Sequence, residues 1–146
     1  MKRYVLLVLF AVAGIGSSLA QEWHADFEMA KQLAQANDLP IVLVFQGSDW
    51  CAPCIKLDRS VWSTDEFKVY AKEHFVMLKA DFPRRKSNKL PEAQLTKNKA
   101  LAEQYNRNGI FPFVVVMDGE GKVLGETSYK KLPPKEYIKE LNSFIQ

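Results

Sequence analysis

The stretch Ile41-Val42-Leu43-Val44-Phe45-Gln46-Gly47-Ser48-Asp49-Trp50-Cys51-Ala52-Pro53-Cys54 decides how this chain folds. Its first five residues are an unbroken apolar run rich in β-branched side chains. Such a run predicts a strand covered on both faces, as in a parallel or mixed sheet lying between helices. Gln46-Gly47-Ser48 ends it. After Cys51 the apolar residues Ile55, Leu57, Val61 and Trp62 recur at helical spacing. Two thiols three residues apart therefore sit between a buried strand and the first turn of a helix.

That placement carries chemistry. Residues i and i+3 of a helix are neighbours, so the two sulfurs can meet. The amino end of a helix offers unpaired N–H groups and a partial positive charge, both favouring a thiolate at Cys51. Pro53 in the first turn loses no hydrogen bond, because its missing N–H would have had no partner. Stabilisation of ~2 kcal/mol at the helix terminus would lower a thiol by roughly 1.5 pH units from about 8.5. Cys51 is thus expected as nucleophile, attacking a partner disulfide, and Cys54 as the buried resolving thiol that frees the product. The reverse sequence would oxidise a dithiol. The alternative is a non-catalytic module that grips apolar peptide segments and keeps its bridge for rigidity. Against it, a bridge closing so short a loop should contribute less than the ~3 kcal/mol of a 15-residue loop. No metal is expected, since zinc would require two further ligands and His24 and His74 are isolated on helical patterns. Haem attachment would need His after the second Cys, where Ile55 stands. No bound cofactor is required, because the electrons reside in the Cys pair.

Working outward, Pro40 precedes the strand, and Glu22 to Asn37 before it reads as an amphipathic helix with Trp23, Phe27, Ala30 and Leu33 at helical spacing. Ser63 or Thr64 can cap a helical piece running to about His74. Phe75 to Asp81 is a second strand. Phe82 to Pro91, with Arg84, Arg85, Lys86 and Lys89, is an exposed basic loop. Leu95 to Tyr105 is helical and Asn108-Gly109 breaks it. Phe113 to Met117 is a third strand, Asp118-Gly119-Glu120-Gly121 a hairpin turn, Lys122 to Tyr129 a fourth strand, and a closing helix begins at Pro134. The fold class is α/β: a central mixed four-stranded sheet flanked by helices, with an extra N-terminal helix.

The beginning of the chain reads differently. Lys2 and Arg3 precede the 13-residue run Tyr4 to Gly16, then Ser17-Ser18-Leu19-Ala20, the pattern of a cleavable export signal over 1–20. The run is short for a membrane span of about 20 residues. Removing Lys2 and Arg3 lowers the formal net charge from +3 to +1. A nearly neutral domain over 21–146 has no motive for nucleic acid or anionic lipid, and no stable membrane insertion is expected after cleavage. A domain of this size buries roughly two-thirds of its unfolded surface. It needs no disulfide staple, and the two Cys are free for redox work in an exported, oxidising compartment.

Trp50-Cys51-Ala52-Pro53-Cys54 resembles the active site of the thioredoxin family, and the likeness extends through most of Leu39 to Gln146. Phe111-Pro112-Phe113 stands where that family carries a cis-proline loop. The resemblance implies that this loop faces the Cys pair, and that Trp50, Phe111 and Pro112 form the substrate groove. It also implies a thiol–disulfide oxidoreductase acting on protein dithiols and disulfides with a redox partner protein. A periplasmic or secreted monomer working in the reducing direction is expected. Two departures stand out. The family buries an Asp six residues before the first Cys and a Lys on the next strand, and counting places Phe45 and Met77 there. Asp49 is then the nearest carboxylate, a candidate for proton transfer. Ala52 replaces the common Gly.

Overall fold

The structure is a computed structural model that describes residues 21–146. The expected export signal lies outside the described residues. In chain order the elements are β1 (Trp23–His24), α1 (Phe27–Asn37), β2 (Ile41–Gln46), α2 (Ala52–Leu57), α3 (Asp65–His74), β3 (Val76–Asp81), α4 (Glu92–Tyr105), β4 (Phe113–Met117), β5 (Val123–Thr127) and α5 (Pro134–Ser143). The strands form one sheet in the order β1-β3-β2-β4-β5. β2 is parallel to β3 and antiparallel to β4, and β4 is antiparallel to β5. The mixed α/β sheet flanked by helices is as expected, with one strand more.

That extra strand corrects the reading of residues 22–37 as one helix. Trp23 and His24 pair in parallel with Met77 and Leu78 at the edge of the sheet. The helix begins only at Phe27, because the Asp26 carboxylate accepts the Met29 N–H at 3.0 Å and caps it. Lys97 donates to the same carboxylate, at 2.5 Å, and ties the start of α1 to α4.

Alternation along the strands sorts their side chains into two cores. Val42, Val44, Met77, Val114 and Val116 pack with Leu57, Val61, Trp62, Phe67 and Tyr137. Ile41, Leu43, Phe45, Leu78 and Val115 pack with Ala30, Ala34 and Leu101. Hence α2, α3 and α5 cover one face, while α1 and α4 cover the other. All six residues of β2 are buried, as its continuous apolar run requires. Each fully buried aliphatic or aromatic side chain contributes about 1.5–3 kcal/mol, so the two cores outweigh anything a four-residue disulfide loop could add.

Between α2 and α3 the chain makes a π-helical turn, Asp58–Trp62, that buries Val61 and Trp62. Thr64 then caps α3, its hydroxyl accepting the Phe67 N–H at 3.3 Å. This second capped piece ends at His74, as the sequence predicts.

Candidate active site

Strand β2 delivers the chain to the Cys pair through a turn in which the Cys51 N–H donates to the Gly47 carbonyl at 2.9 Å. Cys51 is extended, with φ −86° and ψ 99°, and is the N-cap of α2. Its sulfur accepts the backbone N–H of Cys54 at 3.3 Å. A helix-end donor thus points at this sulfur, the arrangement that stabilises negative charge there. Cys51 and Cys54 are disulfide-bonded, with Cα atoms 5.2 Å apart. Both are covered to the same degree, each 4% exposed. Burial therefore does not single out Cys54 as the hidden thiol in the oxidised form; the capping position is what tells the two sulfurs apart.

Aromatic side chains from three loops meet beside the pair. Trp50 and Phe111 make an edge contact with centroids 5.6 Å apart, and Phe82 packs on Phe111 at 5.7 Å. Trp50 and Phe111 are half-buried, while Pro112 is buried. The Phe111–Pro112 peptide bond is cis, as the family resemblance implied. Sequence reading missed what holds these loops. The buried Asn106 closes the loop ahead of Phe111: its Nδ2 donates to the Ile110 carbonyl at 2.8 Å and its Oδ1 accepts the Ile110 N–H at 2.9 Å. Ser128 donates to the Pro112 carbonyl at 2.5 Å. Asp81 accepts the Ser48 N–H at 2.9 Å and its hydroxyl at 2.6 Å, fixing the turn before Cys51. The clue at Asn106 was its place just before a glycine-containing turn, where Asn side chains commonly bond nearby backbone.

Asp49, the candidate for proton transfer, is engaged by the loop that follows β3. One oxygen accepts the Arg84 N–H at 2.9 Å; the other accepts the Arg85 N–H at 2.9 Å and the Asn88 side-chain amide at 3.0 Å. These bonds, led by the one from Arg84, hold its carboxyl below the usual carboxylate range. Asp49 is a clamp between the active-site turn and the basic loop. The Trp50 indole N–H adds a second tie, donating to the Phe82 carbonyl at 2.7 Å.

Phe45 and Met77 do not stand where the count from Cys51 places them. Phe45 is fully buried but lies on the face away from α2, its ring stacked on Phe113 at 6.3 Å. Met77 belongs to the opposite core. Neither occupies the space behind Cys54. That space is a cavity of about 320 Å³ walled by Gln46, Ser48, Cys54, Asp58, Arg59 and Lys79. Polar groups thus back the second thiol, although the aligned positions are apolar. Of the two histidines, His24 lies on edge strand β1, and His74 ends α3 with its Nδ1 2.8 Å from the Tyr70 carbonyl.

Disulfide exchange is the reaction this arrangement can perform, and the chain is a thioredoxin-fold thiol–disulfide oxidoreductase. It belongs to the thioredoxin-like family, whose model matches residues 22–119. It is 35% identical over 125 residues to the disulfide bond reductase DsbH of Chlamydia pneumoniae, covering 86% of this chain and 73% of that protein. A solved structure described as the DsbH oxidoreductase superposes with a TM-score of 0.79 at 30% identity, covering 99% of this chain and 94% of that one. A thioredoxin from Thermus thermophilus shares the fold, with a TM-score of 0.62 at 22% identity over 86% of this chain and 87% of that one.

Proposed function

We propose that this protein reduces disulfides of exported proteins, with Cys51 as the attacking sulfur and Cys54 as the resolving one. The observation that carries this reading is the hydrogen bond from the Cys54 N–H to the Cys51 sulfur. In the reduced protein that donor favours Cys51 as thiolate, the form that attacks. Attack on a partner disulfide forms a mixed disulfide, and the partner's released sulfur takes up a proton. Cys54 then gives up its proton and attacks the Cys51 sulfur. This breaks the mixed disulfide, frees the partner as a dithiol and leaves the Cys51–Cys54 bridge. Two electrons pass from the pair to the substrate, and a second dithiol protein restores the pair.

Trp50, Phe111 and Pro112 would line the groove for an extended substrate segment, half-exposed aromatic surface being suited to gripping such a chain. The basic, apolar and small-residue succession over 1–20 supports export to the periplasm or beyond, with 21–146 as the working domain. Among the described residues no helix is long and apolar enough to cross a membrane. The reducing direction rests on the reductase named above, and a monomer suffices for this chemistry. Equilibration with glutathione or dithiothreitol buffers tests the direction. A potential near about −270 mV supports a reductase, whereas one near about −120 mV would make the protein an oxidant.

A further inference from the structure

We infer that the loop carrying Arg84, Arg85, Lys86 and Lys89 selects substrate segments with acidic side chains close to the disulfide. This rests on the reductase reading and adds to it a preference among substrates. Three observations lead there. First, the Arg84 guanidinium lies over the Trp50 ring, 3.7 Å from its centroid. Trp50 immediately precedes Cys51, so a fixed positive charge stands one residue from the attacking sulfur. Second, the loop is bound to the active-site turn. Asp49 accepts hydrogen bonds from Arg84, Arg85 and Asn88, and Trp50 donates to Phe82. The backbone of the loop is therefore held against the turn that carries Cys51, with the Arg84 charge seated on Trp50.

Third, the charge is concentrated and largely uncompensated. All four basic side chains are exposed, and none takes part in the ion pairs among the described residues, which join Lys31, Lys97, Lys130 and Lys139 to acids elsewhere. Asp49 offsets one of them, and its oxygens are already engaged with backbone and amide donors. Residues 21–146 together carry a formal charge of only +1, so this cluster is a local feature and not the edge of a generally basic surface. A positive face beside a reactive site raises the encounter rate with anionic partners and disfavours cationic ones. Because the neighbouring chemistry is disulfide exchange, the anion is a Glu or Asp of a polypeptide.

The test uses two synthetic peptides, each closed by one disulfide and differing only in whether Glu or Gln flanks the cysteines. Reduced protein is mixed with each, and the rates of peptide reduction are compared, with the neutral disulfide 4,4′-dithiodipyridine measured alongside. The Glu peptide should react about tenfold faster than the Gln peptide at low salt. That ratio should fall toward unity at about 0.5 M salt, where exposed charges are screened beyond a few ångströms. It should also fall in the triple variant Arg85→Gln, Lys86→Gln, Lys89→Gln, which keeps Arg84 on Trp50. A wild-type ratio of one, or a ratio that survives both salt and the substitutions, overturns the inference. Failure to reduce either peptide or the neutral disulfide would instead count against the reductase reading itself.

Discussion

The indole of Trp50 occupies the space that a side chain at Gly47 would need. A Cβ at residue 47 would overlap the ring at Cε2, Nε1 and Cζ2. The turn from β2 to the Cys pair thus depends on hydrogen in place of a methyl, and in this position the indole N–H donates to the Phe82 carbonyl.

Gly47→Ala should therefore push Trp50 out of its seat, break its bond to Phe82 and lower stability by about 1–3 kcal/mol, the usual cost of overpacking. Urea denaturation with Trp fluorescence checks both effects. An unchanged midpoint and spectrum would mean that the turn adjusts without moving the indole.

Asp49 makes a pH-dependent prediction. Its folded carboxyl lies below the usual range, so its contribution to stability is present above the unfolded carboxylate value of about 3.9. That contribution is lost as pH falls through the lower, folded value. Asp49→Asn should be less stable than wild type at neutral pH, and the difference should shrink toward about pH 3. Urea midpoints across pH measure it. A difference independent of pH would deny the carboxylate its clamping role.

Asn106 should matter more than its place in a loop suggests. Asn106→Ala removes both bonds to Ile110, leaving backbone groups of a partly buried turn without their partner, at a cost of about 1–3 kcal/mol. Because the turn leads into Phe111 and Pro112, reduction of a peptide disulfide should slow more than reduction of a small one. Equal slowing of both would mean that the turn supports the fold without shaping the groove.

What could be read in advance follows from how local each signal is. β2 and β4 declare themselves by continuous apolar runs, and the helix after Cys51 by its spacing, because these patterns need no partner to be recognised. Strand β1 is two residues long and exists only through its pairing with Met77 and Leu78, so no local pattern marks it. Counting back from Cys51 reached Phe45, but β2 turns that side chain away from α2, and Gln46 stands at the cavity instead. The ties from Asp81 to Ser48 and from Asp49 to Arg84 span more than thirty residues, a distance that only the folded chain closes. The chemistry of the Cys pair was legible because its parts are adjacent in sequence; the clamps around it were not.

Residue-specific alkylation of the reduced protein asks most directly which sulfur attacks. Iodoacetamide should modify Cys51 faster than a model thiol such as glutathione at about pH 6.5, and at least about tenfold faster than Cys54, as peptide mapping would read. Labelling of Cys54 first, or a Cys51 rate no greater than that of the model thiol, would contradict the assignment of Cys51 as nucleophile.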